Sequence, residues 1–296
     1  MRQDATRDEI GEIERRERLI KCFGEELPQI HVVDVGALWL GEEPYDALVK
    51  AGVARIVGFE PIAPECEALN LKFSPHGLYL PYAVGDGTKR RFHRCAYSMT
   101  SSLYEPDMEY MGLYHNLPHF CEIEDTWDVQ TVRLDDIKEA DGADYLKIDV
   151  QGAELDVLRG AERLLRTVTV VHVEVEFVPI YRGQPLFADV DRFLRAHGFL
   201  FHRFANIEGR TLKTVDVGHD TEAERRQMLW ADAVYVRDIA AWKDLSSESL
   251  LKLALIFHEL YHSFDFAAKA LQLRDERDGK DSRGLYLRQL GLQVSS

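Results

Sequence analysis

The sequence predicts an α/β fold: a mostly parallel sheet with helices on both faces. Two observations carry that prediction. Between residues 30 and 84, short apolar runs closing on an acid or a glycine alternate with segments of helical period. Strand, helix, strand, helix, strand is the βαβ order, and right-handed crossovers make such strands parallel. The second observation is residues 144–160, where Leu146, Ile148 and Val150 alternate with Lys147 and Asp149, after which Leu155, Leu158, Ala161 and Leu165 recur at three- and four-residue spacing. The period switches at Gln151-Gly152, so Asp149 stands at the carboxyl end of a strand. Open α/β sheets bind ligands at that edge.

Taken in order, residues 8–27 read as a charged amphipathic helix with Ile10, Ile13, Leu19, Ile20 and Phe23 facing inward, stopped by Pro28. Residues 30–36 form a buried strand and a glycine turn, followed by a helix over 44–51. Residues 55–61 form a second strand ending at Glu60-Pro61, and 64–72 a helix, since proline is tolerated in a first turn. Residues 78–84 supply a third strand. Asp86-Gly87 signals a hairpin whose returning strand is 90–94. From 96 to 126 the period is lost, and an irregular stretch of that length inside a domain reads as a lid or a mobile loop. Extended structure resumes over 129–134, and a short helix starts at Leu134. Residues 168–177 are a β-branched strand, 187–197 a helix, 198–204 a strand, and 230–236 completes the sheet. Beyond 239 the chain is helical, with Leu250, Leu251, Leu253, Ile256, Phe257, Leu260, Tyr261 and Phe264 as an apolar stripe suited to docking or homodimerisation. The expected organisation is a helical extension over 1–28, a sheet domain over 29–238 and a helical appendage over 239–296.

Composition restricts the partners. The 296 residues carry 36 basic and 51 acidic side chains, a net charge of −15, with no long Lys/Arg cluster. Binding that relies on phosphate neutralisation is therefore not expected, which argues against DNA or RNA. A neutral or cationic acceptor fits better. No secretory core and no apolar run of membrane-spanning length is present, so a cytoplasmic location is expected. Cys22, Cys66, Cys95 and Cys121 are scattered without paired spacing, as reduced thiols are.

With Asp34-Val-Gly36 on the first strand, Phe59-Glu60-Pro61 on the second, Ala83-Val84-Gly-Asp86 after the third and Leu146-Lys-Ile-Asp149-Val-Gln-Gly-Ala-Glu154 on the fourth, the sequence resembles the FkbM family of S-adenosylmethionine-dependent methyltransferases. The resemblance implies a class I methyltransferase (Rossmann-like) fold: a seven-stranded, mostly parallel sheet whose last strand is antiparallel. It also implies O-methylation of a hydroxyl on a sugar, glycan or related small molecule. For the cofactor, it implies that Asp34, Gly36, Glu60, Pro61, Ala83 and Val84 bind it, with Gly36 beside the methionine part, Glu60 accepting from the ribose hydroxyls, and Ala83 and Val84 lining the adenine. Asp86 reads as a turn residue. The turn at residues 36–41 is more apolar than the family pattern.

Methyl transfer to oxygen needs alignment and a group that receives one proton. Asp149 is the leading candidate, as base or as acceptor-binding carboxylate. Alternation on the strand 171–177 puts His172, Glu174 and Glu176 on one face, with Lys147 and Asp149 on the neighbouring strand. Glu174 and Glu176 are therefore the next candidates, and His172 is structural. The alternative is a buried ion pair such as Lys147 with Glu174 that serves packing. No residue is assigned to a metal, although acids at this edge could hold Mg²⁺ beside two sugar hydroxyls. Ser98, Ser101, Ser102, Tyr104 and His115 lie in the irregular stretch that could close over the acceptor.

Two rival classes remain. One is a non-catalytic S-adenosylmethionine-binding or interaction protein. The other is a zinc metallopeptidase, because His258-Glu259-Leu-Tyr-His262 matches the His-Glu-x-x-His pattern, which on one helix brings two imidazoles and a glutamate together. No third histidine follows His262, and zinc needs a further protein ligand.

Overall fold

The computed structural model of the protein describes residues 27–38, 41, 43–73, 77–215 and 227–292. The helix expected over 8–27 falls, but for Leu27, outside them. Nine strands are present among the described residues: β1 (Ile30–Val35), β2 (Ala54–Phe59), β3 (Gly77–Leu80), β4 (Lys89–Cys95), β5 (Ile123–Gln130), β6 (Tyr145–Ile148), β7 (Val170–Glu176), β8 (Phe199–Arg210) and β9 (Gln227–Arg237).

Seven of them form one sheet in the order β3-β2-β1-β6-β7-β9-β8. The pairs β2–β3, β1–β6 and β6–β7 are parallel, whereas β9 runs antiparallel to both β7 and β8. This is the predicted sheet, with its last strand reversed. Strands buried on both faces read as continuous apolar runs, and every residue of β1, β6 and β7 is buried. Register then sorts the faces. Val33, Leu146, Val171 and Tyr235 are successive partners on one side and belong to the main core. Asp34, Lys147 and His172 are successive partners on the other.

Two local expectations change. The strand after Asp86-Gly87 does not return on β3: β4 pairs antiparallel with β5 in a separate two-stranded sheet. The turn itself is an Asx turn, with Asp86 Oδ1 accepting from the Thr88 amide at 3.0 Å and its hydroxyl at 2.6 Å. The stretch 96–126 is also more ordered than its lack of period implied. It holds a 3₁₀ turn (Ser98–Thr100), two short helices (Met108–Met111 and Leu117–Phe120) and the start of β5. Its first part is anchored on the helix Glu154–Arg159. Tyr104 donates its hydroxyl to Asp156 Oδ2 at 2.8 Å, and Arg90 forms an ion pair with the same oxygen at 2.8 Å while lying over the Tyr104 ring.

The chain divides into two compact units, one comprising His31–Gly41 and Ile56–Asp238, the other Met1–Ile30, Glu42–Arg55 and Ile239–Ser296. In the second, helix Ser247–Glu259 is capped by Ser246, whose hydroxyl accepts from the Ser249 amide at 3.0 Å. Leu250, Leu251, Leu253, Ile256 and Phe257 of the apolar stripe are buried, and the Phe257 ring packs on Phe266 of helix Phe264–Asp278 at 4.9 Å.

The metallopeptidase arrangement is not formed. The helix ends at Glu259, so His262 lies beyond it, with φ of 50°. His258 is fully buried and its Nδ1 is 2.9 Å from the Tyr286 hydroxyl. The two imidazoles therefore do not present nitrogens from one helical face, which that reading required.

Candidate active site

The sheet order reverses between β1 and β6, which makes the carboxyl ends of these strands a topological switch point. Two cavities lie at this edge, both within the unit that carries the sheet.

The first is lined by Gly36, Glu60, Pro61, Ala83 and Val84, together with Asp149 and Ser98, Ser101 and Ser102. Five of the six residues expected to hold the cofactor thus come together. Asp34 does not line it: it is fully buried beneath, with Lys147 Nζ 3.3 Å from its Oδ1. The alternative reading of this face paired Lys147 with Glu174. Register explains the difference, because Asp34 and Lys147 are direct partners across β1 and β6, while the β7 partner of Lys147 is His172.

Gly36 holds the floor of this cavity. Its φ is 83°, and a Cβ there would lie 1.8 Å from the carbonyl oxygen of Asp149. Only glycine allows β1 and β6 to end so close together. Glu60 follows β2 directly; its Oε1 accepts from the Ile62 amide at 2.7 Å. Burial pushes the Glu60 carboxyl up to about 7. A buried carboxyl with one amide donor is suited to a ligand that brings further donors, as a ribose diol does.

The second cavity has Asp149, Gln151, Glu174, Glu176, Tyr181 and Trp230 in its lining, together with Met99, Thr100, Met111, Leu117 and Cys121 from the irregular stretch. Asp149, Gln151 and Met99 line both cavities. The two spaces therefore meet at Asp149.

Gln151 organises this junction, although the sequence marks it only as a turn residue. Its φ is 57°, uncommon for a residue with a side chain, and such outliers gather at functional sites. Its Nε2 donates to Asp149 Oδ1 at 2.9 Å and to Glu174 Oε2 at 2.5 Å. The Tyr181 hydroxyl donates to its Oε1 at 3.0 Å, and Ser102 donates to its carbonyl at 2.6 Å. Of the irregular-stretch candidates, Tyr104 and His115 reach neither cavity. Tyr104 is bound to Asp156, and His115 Nε2 lies 2.9 Å from the Val215 carbonyl.

Glu154 does more than favour its helix. Its Oε1 accepts from the amides of Val150 and Gly152, at 3.0 and 3.1 Å, and so fixes the turn. Glu154, Glu174 and Glu176 are all buried. Desolvation pushes all three carboxyls up, and Asp149 raises each further. Acids so placed are stable as neutral groups or beside compensating positive charge.

Solved structures that this chain resembles include the precorrin-6y C5,15-methyltransferase from Geobacter metallireducens GS-15, at 10% identity, with 75% of this chain and 87% of that one covered and a TM-score of 0.35. Others are the N-methyltransferase NodS from Bradyrhizobium japonicum WM9, at 6% identity, 79% and 99% coverage and 0.36, and the 16S rRNA (adenine(1408)-N(1))-methyltransferase from Catenulisporales acidiphilia, at 12% identity, 80% and 96% coverage and 0.36. No curated protein matches the sequence. The family model described as "Methyltransferase FkbM domain" matches residues 34–201, a span running from the end of β1 into β8. That match covers more than half of the 296 residues, and the chain belongs to the FkbM family of S-adenosylmethionine-dependent methyltransferases.

Proposed function

We infer that the protein is an O-methyltransferase, with S-adenosylmethionine in the first cavity and a hydroxyl of a sugar, glycan or related small molecule in the second. The observation that carries this reading is the shared wall: Asp149 lines both spaces and is, among the described residues, the carboxylate they share. When bound, the cofactor supplies an electrophilic methyl group. Gly36 leaves room for its methionine part, Glu60 and Pro61 receive the ribose, and Ala83 and Val84 flank the adenine. Asp34 acts from below, through its pair with Lys147, by holding the ends of β1 and β6 in register.

Asp149 receives the proton of the attacking hydroxyl. Gln151 orients that carboxylate through its 2.9 Å hydrogen bond, and its second bond, to Glu174, ties the base to the acceptor wall. Glu174 and Glu176 form the acidic part of the wall that faces the acceptor's other hydroxyls. Met99, Met111, Leu117 and Trp230 supply the apolar surface that excludes water.

Mass spectrometry of the purified protein tests the cofactor, and a search for products 14 Da heavier among sugars, glycans and small hydroxyl compounds tests the acceptor. A methylated nitrogen or carbon in the product would replace the O-methylation reading. Cofactor binding without any transfer would leave a non-catalytic binding protein.

A further inference from the structure

Beneath the second cavity, one oxygen from each of Glu154, Glu174 and Glu176 lies within 4.8 Å of the other two. Three elements of local structure bring this about. Strand alternation puts Glu174 and Glu176 on the same face of β7. The amides of Val150 and Gly152 hold Glu154 Oε1, which fixes where its second oxygen points. The side chains are enclosed, with residue exposures of 2%, 8% and 2%.

An acidic cluster alone is often only a solvated face. Here a second observation points to a ligand: Glu176 Oε1 is buried without a hydrogen bond of ordinary geometry, and the side-chain donor that acts on this carboxyl, the Gln184 amide, is neutral. Buried polar atoms are nearly always partnered, and leaving a carboxylate oxygen unsatisfied is costly. None of the described residues lining the cavity is Lys, Arg or His, so no basic side chain of its wall meets this charge.

We propose that Glu154, Glu174 and Glu176 bind a divalent, oxygen-preferring cation at the floor of the second cavity. Carboxylates suit Ca²⁺, Mg²⁺ and Mn²⁺ and not the thiol-seeking metals. Each pair of the three oxygens lies within 4.8 Å, which lets a single ion of this class reach all three. Three protein oxygens leave positions open on the cavity side. Resting on the reading of that cavity as the acceptor's, those positions take two neighbouring hydroxyls, so the ion selects acceptors that carry a diol.

The test is calorimetric titration of the chelator-treated full chain with CaCl₂, and separately with MgCl₂, without cofactor or acceptor. The expected result is one divalent ion, Ca²⁺ or Mg²⁺, per chain, with affinity reduced at least tenfold in Glu176→Gln and in Glu174→Gln. Absence of binding of both ions to the wild type, or binding in both variants equal to the wild type's, overturns the proposal. S-adenosylhomocysteine titrated into the same samples separates the two readings. Retained cofactor binding alongside absent binding of either ion removes the cation site and leaves the methyltransferase reading in place. Should one variant fail to fold, the other carries the comparison.

Discussion

The two cavities are built in different ways. The first is made by strand ends: a glycine that lets β1 approach β6, an acid following β2 and small apolar residues after β3. The second is made by side chains brought from far apart in sequence, with the tips of β6 and β7 on one side and the stretch between β4 and β5 on the other. A site built from backbone positions tolerates few changes but serves one ligand. A site built from an inserted stretch and buried acids can be altered without disturbing the sheet, which suits the acceptor role proposed for it.

The comparison can be broken most sharply at the shared wall. Replacing Asp149 by Asn should leave S-adenosylhomocysteine binding within a few-fold of wild type while lowering the rate of product formation by about 100- to 10,000-fold. Unchanged turnover would remove Asp149 from the chemistry. Next comes Gly36→Ala, which forces a Cβ towards the Asp149 carbonyl at a positive φ. A loss of about 3 kcal/mol in denaturant unfolding is expected, together with loss of cofactor binding. Should the variant melt like the wild type and bind normally, the close approach of β1 and β6 is not what the glycine serves.

Glu60 sharpens the cofactor side through pH. Burial raises its carboxyl from the usual 4.5 to about 7, so in the free protein the neutral form is favoured. Stability contributed by that group falls as pH rises from the unfolded value through the folded one. Ribose hydroxyls donate to the ionised form, so cofactor binding should tighten as pH rises towards about 7.5 and release protons near pH 7. Titrations in buffers of different ionisation enthalpy measure that release, and none is expected in Glu60→Gln. The smallest effect belongs to the anchor of the irregular stretch. Tyr104→Phe removes one hydrogen bond to Asp156 and should cost about 1 kcal/mol in thermal unfolding, with cofactor affinity unchanged.

The same division governs what could be read from sequence. Strand ends are visible because the period changes there, and so the mostly parallel sheet and the strand-end places of Gly36, Glu60 and Asp149 were legible. The acceptor side was not. Residues 96–126 have no period, and their order comes from long-range contacts such as Tyr104 with Asp156. Gln151 carries no letter-level mark of a positive φ, as glycine would, so its role at the junction emerges only from geometry. The partner of Lys147 depended on register between strands more than one hundred residues apart. Alternation alone places a side chain on a face and leaves its neighbour undetermined.

The division between the two cavities is tested most directly by titrating S-adenosylhomocysteine into wild type, Glu60→Ala and Asp149→Asn side by side. The prediction is binding to the wild type, its loss in Glu60→Ala and its retention in Asp149→Asn. Wild-type affinity in Glu60→Ala would contradict the placement of the cofactor in the first cavity.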